Sequence, residues 1–275
     1  MKVELIDHMG SDLSVVNAAR VSFDGAGAEY ETYDITYGDA GYSGPRQSEV
    51  LTQATRLSAK DKGLIRFLAR GCTSGDWDRL LDEIQLCSMS EELGNLRKMV
   101  TYLKRMPAHW SPFAHTAVTL RFEMPIFVAR QIMKHTTGIE YNEVSRRYVI
   151  GGLKFYFPEE WRSAADNVKQ GSGGPADSYT QNLMNRMYED LVNHSKWVYD
   201  RAIAHGIAAE QVRMVLPQSM MTKVIVTGNL YALANMYVQR SDGHAQKEAQ
   251  MIAEGVKKCV QPLFPVSWEA LTGNT

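Results

Sequence analysis

The sequence predicts a single α+β domain in which helices outnumber strands. Three observations predict it. Thr116–Met124 alternates strictly, with Val118, Leu120, Phe122 and Met124 facing one way and Thr119, Arg121 and Glu123 the other, the period of a half-buried strand. Stretches near 91–105, 179–204, 228–240 and 244–259 instead carry apolar residues at helical spacing. Neither an internal repeat nor a clean linker divides the 275 residues, a length that one large domain accommodates.

In chain order, Met1–Asp7 alternates like a short strand, and Ser11–Arg20 reads as a helix with Leu13, Val16 and Ala19 on one face. Asp24–Pro45 is rich in Gly and Tyr without helical period, a long loop that is either a lid or a surface insertion. Ser58 caps the next helix, with Asp61 three residues on, Leu64, Ile65 and Leu68 on the buried face and Gly71 at the stop. Helical stretches at 76–88 and 91–105 follow; the second starts with Glu91 and Glu92 and ends with Lys104 and Arg105, in accord with the helix dipole. After the 116–124 strand, Pro125 opens a helix running to about His135, which Thr136-Thr137-Gly138 stops. Tyr141–Tyr148 is polar and charge-dense, Leu153–Phe157 is strand-like, and Ser163–Ser178 is a surface loop. Helices then dominate: 179–204, a short one near 207–215 ended before Pro217, 228–240, and 244–259 capped by Asp242, with Ala245, Ala249, Ile252 and Val256 on one stripe.

Composition removes several classes of function. Thirty basic residues balance thirty-one acidic ones, so partners recognised through bulk charge, such as duplex nucleic acid or an anionic membrane face, are not expected. No window approaches 18 uninterrupted apolar residues, and the N-terminus is acidic by Glu4, so neither a membrane span nor a secretion signal is expected. Cys72, Cys87 and Cys259 are scattered, odd in number and without CxxC spacing, which points to a reduced, cytoplasmic compartment and to neither a disulfide scaffold nor zinc. His109 and His115 lack a third ligand at sensible spacing, so no metal is expected.

The segment Arg130–Tyr148, RQIMKHTTGIEYNEVSRRY, concentrates the chemistry. It is either a solvated, salt-bridged turn or a ligand site. Gln131, Lys134 and His135 share one face at a helix C-terminus, suited to an anionic or polar ligand. Ser145 and Arg147 alternate on one side of an extended segment, a hydroxyl and a guanidinium fork that together make a phosphate clamp. A second polar cluster, Arg240-Ser241-Asp242-Gly243-His244-Ala245-Gln246, joins two helices, with Asn229 and Asn235 on the first of them. His109-Trp110-Ser111 opens a third.

RQIMKHTTGIEYNEVSRRY resembles the signature of the flavin-dependent thymidylate synthases, the ThyX family: Arg-His-Arg, seven residues, then Ser, with Asn-Glu before it and Arg-Tyr after. MGSDLSVVNAARVSFD, HWSPFAH, MPIFVARQ, VRMVLP and QRSDGHAQKEAQ resemble further blocks of that family, in its order. This chain departs from the pattern with Lys134-His135-Thr136 in place of the triplet, eight residues rather than seven before Ser145, and Glu140 where the family often has serine. Against the family it carries a loop insertion at 24–50 and a helical one, a hairpin, near 72–106.

The resemblance implies one domain over 1–275 with a small, mostly antiparallel sheet packed with several helices. It implies conversion of dUMP to dTMP with methylenetetrahydrofolate as carbon donor, FAD reduced by NADPH as hydride source, and a homotetramer with shared active sites. By position, His109, Ser111, Lys134, His135, Thr136, Asn229, Asn235 and His244 fall to the flavin. Gln131, Glu143, Ser145, Arg146, Arg147, Arg213 and Arg240 fall to dUMP. Uracil C5 is a poor nucleophile until negative charge develops in the ring, and none of the three cysteines has the Pro-Cys-His context of the cysteine-dependent synthases. Arg240 against the O2/N3 edge would stabilise that charge, and Ser145 would bind or orient. Two alternatives stay open: a related enzyme that methylates or hydroxymethylates another uridine nucleotide such as UMP, and a non-catalytic nucleotide-binding homologue.

Overall fold

The computed structural model describes residues 1–21, 25, 27–36, 50–70, 109–165 and 171–273. In chain order the described elements are β1 (Lys2–Met9), α1 (Asp12–Arg20), β2 (Glu31–Thr36), β3 (Val50–Arg56), α2 (Ala59–Arg70), α3 (Ser111–Ala114), β4 (Ala117–Pro125), α4 (Ile126–Ile132), β5 (Ile139–Glu143), α5 (Ser178–Ala204), α6 (Ala209–Val212) with a 3-10 turn at Arg213–Val215, β6 (Met221–Gly228), α7 (Leu230–Ser241), α8 (Lys247–Val260) and α9 (Pro265–Thr272). The α+β class is as predicted. The chain clusters into two compact units, one made of Met1–His8 and Ala117–Val260, the other of Met9–Thr116 and Gln261–Thr275.

The first unit is built on a four-stranded sheet of order β1-β4-β6-β5. β6 is antiparallel to both neighbours, with Leu120 opposite Val226 on one side and Tyr141 opposite Val226 on the other. The predicted alternation of β4 is realised: Val118, Leu120, Phe122 and Met124 are completely buried. Helices α7 and α8 pack on each other, and α8 also packs on β4. Leu230, Leu233 and Met236 of α7 and Ala249, Ile252 and Val256 of α8 fill the space between. The approach of α8 to β1 is close enough that a Cβ at Gly255 would come 2.6 Å from a methyl of Val3.

The second unit contains α1, the β2–β3 hairpin, α2, α3 and α9. The Ser58 cap is as predicted: its Oγ accepts from the Asp61 N–H at 3.1 Å and donates to the Asp61 carboxylate at 2.6 Å. Arg20 closes on that same buried carboxylate. Burial pushes the Asp61 carboxyl up, but the Ser58 hydroxyl and Arg20 outweigh it and hold it below its ordinary value. Asp12, 4% exposed, does a related job across the chain: its two oxygens accept from the N–H groups of Val266 and Ser267, each at 2.9 Å. These are orphan donors of the first turn of α9, so a residue 254 positions away caps that helix. Asp12→Ala leaves them buried without an acceptor and is expected to cost about 1–3 kcal/mol. Thermal unfolding checks this, with Asp12→Asn, which keeps one acceptor oxygen, expected to lie between.

Several sequence expectations are corrected. The loop at Asp24–Pro45 contains part of a hairpin, since β2 pairs antiparallel with β3, Glu31 opposite Arg56. The helix after Pro125 ends at Ile132 rather than His135, because the next residues tighten into turns, with His135 N–H donating to the Ile132 carbonyl at 3.1 Å. Leu153–Phe157 makes a single bridge, Phe155 to Met220, and no strand. Asp242 caps a turn, not a helix: its carboxylate accepts from the His244 N–H at 2.8 Å, and α8 begins only at Lys247. β6 and α9 were not predicted. Gly71 and the helical stretches 76–88 and 91–105 lie outside the described residues, as do Cys72 and Cys87. Among the described residues no helix is long and apolar enough to cross a membrane, and no three His, Cys, Asp or Glu are grouped to hold a metal.

Candidate functional site

The end of α7 brings the two predicted polar clusters together. Arg240, in its last turn, donates from Nε to Nε2 of His135 at 3.0 Å and from Nη2 to the Gln131 carbonyl at 2.9 Å. The Gln131 side chain in turn donates to Gln246, tying the end of α4 to the segment before α8. Tyr141, from β5, reaches back to the carbonyls of His135 at 2.8 Å and Ile132 at 3.1 Å, satisfying acceptors that the end of α4 leaves open. Burial pushes the Tyr141 hydroxyl up to about 12, against the pull of Arg240, so it stays a donor. Gln131, Arg240, Asp242, His244 and Gln246 line a cleft of about 720 Å³ together with Gly171. A guanidinium has five N–H groups. Two are used, and the other three have no partner among the described residues.

The loop that carries His135 is held at Gly138. Its φ is +72°, and a Cβ there would lie 2.6 Å from Asn229 Nδ2 and 3.1 Å from the Ala232 Cβ. Asn229 cannot step aside freely, since it caps α7 by accepting from the Ala232 N–H at 2.9 Å, and its own N–H donates to the Gly138 carbonyl at 3.1 Å. Gly138→Ala is therefore expected to cost at least about 1–2 kcal/mol from the left-handed backbone alone. A lowered thermal midpoint checks it; an unchanged midpoint would mean the loop adopts another path.

A second, smaller cleft of about 280 Å³ gathers Glu143, Arg146 and Arg213 with Arg130. Thr222 donates to the Glu143 carboxylate at 2.6 Å. Arg146 is spent largely on the backbone, donating to the carbonyls of Gly151 at 2.6 Å and of Val149 and Gly152 at 3.3 Å. Arg213 donates to the Glu210 carbonyl at 3.2 Å.

The extended geometry expected for Ser145–Arg147 is overturned. Ser145 opens a turn, its carbonyl accepting from the N–H groups of Tyr148 and Val149 at 3.1 and 3.2 Å and its Oγ from the Arg147 N–H at 3.3 Å. A serine hydroxyl that can fold back on its own backbone favours such a turn over an extended run. The Arg147 guanidinium pairs instead with Glu210 at 3.3 Å and lies over Tyr148 at 5.3 Å. Lys134, Thr136, Asn235 and His244 are exposed, and His244 bonds Asp242 at 2.9 Å. His109 and Ser111 belong to the second unit, where His109 donates its N–H to the Leu68 carbonyl at 2.8 Å and Ser111 begins α3.

Sequence reading missed the supporting residues: Tyr141, Gln246, and a buried pair beside them, Glu248 and Arg162. The first two stood inside the motifs without an assigned role. Glu248 showed only as a charge at a core-facing helical position. The cleft suits a flavin or a pyrimidine: the three unpartnered N–H groups of Arg240 match the carbonyl-rich edge that either ring presents.

The thymidylate synthase complementing protein family model matches residues 4–266. A flavin-dependent thymidylate synthase of Streptomyces avermitilis is 29% identical over 240 residues, covering 83% of this chain and 93% of that protein. One from Tropheryma whipplei is 30% identical over 229 residues, 79% of this chain and 90% of its own. Among solved structures, a UMP/dUMP methylase, PolB from Streptomyces cacaoi, bound with 5-Br dUMP, superposes with a TM-score of 0.66 at 29% identity, over 98% of this chain and 94% of that one. The same methylase bound with 5-Br UMP gives a TM-score of 0.68. A match that runs through both units, from β1 to the start of α9, places every motif of the Arg130–Tyr148 and Arg240–Gln246 clusters within one pattern, and the chain belongs to the thymidylate synthase complementing protein family, the flavin-dependent thymidylate synthases.

Proposed function

We propose that this chain is a flavin-dependent thymidylate synthase that methylates dUMP to dTMP, with methylenetetrahydrofolate as carbon donor. The observation that carries the reading is Arg240: fixed by two hydrogen bonds at the wall of a polar cleft, with three donors to spare. Positive charge preorganised there stabilises electron density drawn into a uracil ring and makes C5 nucleophilic without a thiol adduct. Cys259, the described cysteine, has its thiol pushed up by burial, the reverse of an activated nucleophile. When bound, FAD reduced by NADPH supplies the hydride; Lys134, His135, Thr136, Asn229, Asn235 and His244, with His109 and Ser111, are the residues proposed to hold it. Gln131, Glu143, Ser145, Arg146, Arg147 and Arg213 are proposed to bind the nucleotide with Arg240.

Within the first unit these nucleotide residues do not converge. Gln131 and Arg240 line one cleft; Glu143, Arg146 and Arg213 line another. Such a division supports a site completed by a second copy, and we propose a homotetramer with shared active sites, acting as one functional domain per chain. A solution mass of four chains is the expected result by light scattering.

The function is tested by incubating the protein with FAD, NADPH, methylenetetrahydrofolate and either dUMP or UMP, and weighing the product. The expected product is dTMP. A second reading, methylation of UMP, is favoured by one observation: this chain superposes over 98% of its length on a UMP/dUMP methylase. Faster turnover of UMP would establish it over the first reading.

A further inference from the structure

We propose that His135 is the positioning residue for Arg240: a neutral imidazole whose Nε2 accepts from the guanidinium and orients it toward the cleft, so that protonation of the ring frees Arg240 and switches off ring polarisation. The proposal rests on the reading of Arg240 given above, and it gives His135 a role in addition to flavin contact.

The direction of the hydrogen bond decides the tautomer. Arg240 Nε and His135 Nε2 are 3.0 Å apart. Arginine carries donors only and stays protonated. The lone pair must therefore be on Nε2, and the imidazole proton on Nδ1. Nη2 of the same guanidinium is anchored separately, on the Gln131 carbonyl at 2.9 Å. Two bonds from adjacent nitrogens of a rigid fork fix its plane, which one bond would not. Both acceptors come from the end of α4, and that end is held in turn. Tyr141 grips the His135 carbonyl at 2.8 Å, and Gln246 grips the Gln131 side chain. The orientation of Arg240 is thus set through the end of α4, by acceptors that are themselves held in place.

Protonation reverses this. An imidazolium donates from both nitrogens, so it cannot accept from Arg240, and it places a second positive charge beside the first. From α7 the charged group facing the His135 ring is Arg240; from β5 the Tyr141 hydroxyl, which stays protonated, bonds the His135 backbone carbonyl; on its own segment Lys134 is exposed. Among the other residues lining the cleft, Asp242 is engaged with His244, and Gln246 is neutral. Burial, and then Arg240, push the His135 ring below its ordinary 6.5, so the accepting form holds through neutral pH. The sign follows. With a folded value below the unfolded one, the contribution of this contact is complete above 6.5 and erodes as pH falls toward the folded value.

Two measurements test it. The first is an NMR titration of protein labelled at histidine Cε1, with the His135 signal assigned by its loss in His135→Gln. The expected result is that His135 titrates at lower pH in the wild type than in Arg240→Leu, because the coupling is reciprocal. The same midpoint in both would overturn the proposal. The second is the pH dependence of turnover on dUMP. The wild type is expected to show an acid limb in kcat. His135→Gln, which restores an acceptor that does not titrate, is expected to turn over faster than His135→Leu and to lose that limb. His135→Leu is expected to lower kcat about a hundredfold with KM for dUMP changed little, the pattern of an interaction made in the transition state. Full kcat in His135→Leu, or an acid limb unchanged in His135→Gln, would also overturn it. Absence of turnover on every nucleotide in the wild type would reject the enzymatic reading, while the NMR midpoints would still decide whether His135 and Arg240 are coupled.

Discussion

Arg240→Ala is expected to slow methylation on the order of a hundredfold or more, equivalent to about 3 kcal/mol of barrier, the scale of one lost donor at a developing oxyanion. The protein should still take up FAD, read from its yellow absorbance, because the α7 cap at Asn229 and the packing of Leu230, Leu233 and Met236 do not pass through the guanidinium. Arg240→Lys separates charge from geometry. Lysine keeps the positive charge but has no Nε–H held in plane with Nη2, so it cannot meet His135 and the Gln131 carbonyl together. It should recover only part of the loss. Normal turnover in Arg240→Ala would mean that another group polarises the ring, and the case for the 720 Å³ cleft as the pyrimidine site would go with it.

Arg240, His135 and Gln131 were legible in the sequence as residues; their contact was not. Arg240 and His135 are 105 positions apart, and no local period links a helix end to a turn that distant. What the sequence made plain was burial. β4 alternates because one face is fully covered, and Leu120 and Phe122 are completely buried. β6 was missed although Thr222, Val224 and Val226 are all buried, because a threonine at an inward position blurs the apolar alternation. The hairpin β2–β3 had less signal still. Its described side chains on β2 are largely exposed, and it is held by its backbone ladder with edge contacts such as Arg56 over the Tyr33 ring at 4.8 Å. Without a buried alternating face on β2, a short strand inside a Gly- and Tyr-rich stretch reads as a loop. The Ser145 turn failed for the opposite reason: two polar side chains at alternate positions looked like one face of an extended segment, while the serine hydroxyl was bonding its own backbone.

Glu248→Ala is expected to produce the largest loss of stability, about 3–5 kcal/mol, because it strands a partly buried guanidinium. Glu248 is 4% exposed and sits in the first turn of α8, where its charge suits the helix dipole. Both its oxygens accept from Arg162 Nη2, at 2.8 and 2.9 Å, and Arg162 Nε donates to Ser172 at 2.8 Å. Burial raises the Glu248 carboxyl, but the hydrogen bond from Arg162 and its charge outweigh that and leave it below its ordinary 4.5. A depressed carboxylate stabilises the fold above 4.5 and loses that contribution as pH falls through its folded value, so the pair should add to acid lability. The double variant Glu248→Leu, Arg162→Met removes both charges and should cost less than Glu248→Ala alone, with a flatter acid limb in thermal midpoint against pH. The effect should also reach the cleft. Arg162 bridges to Pro175 and holds Ser172, the neighbour of Gly171, which lines the same cleft as Arg240. If the pair serves only the core, nucleotide affinity in the double variant will match the wild type; if it also fixes that wall, affinity will fall even where stability has been restored.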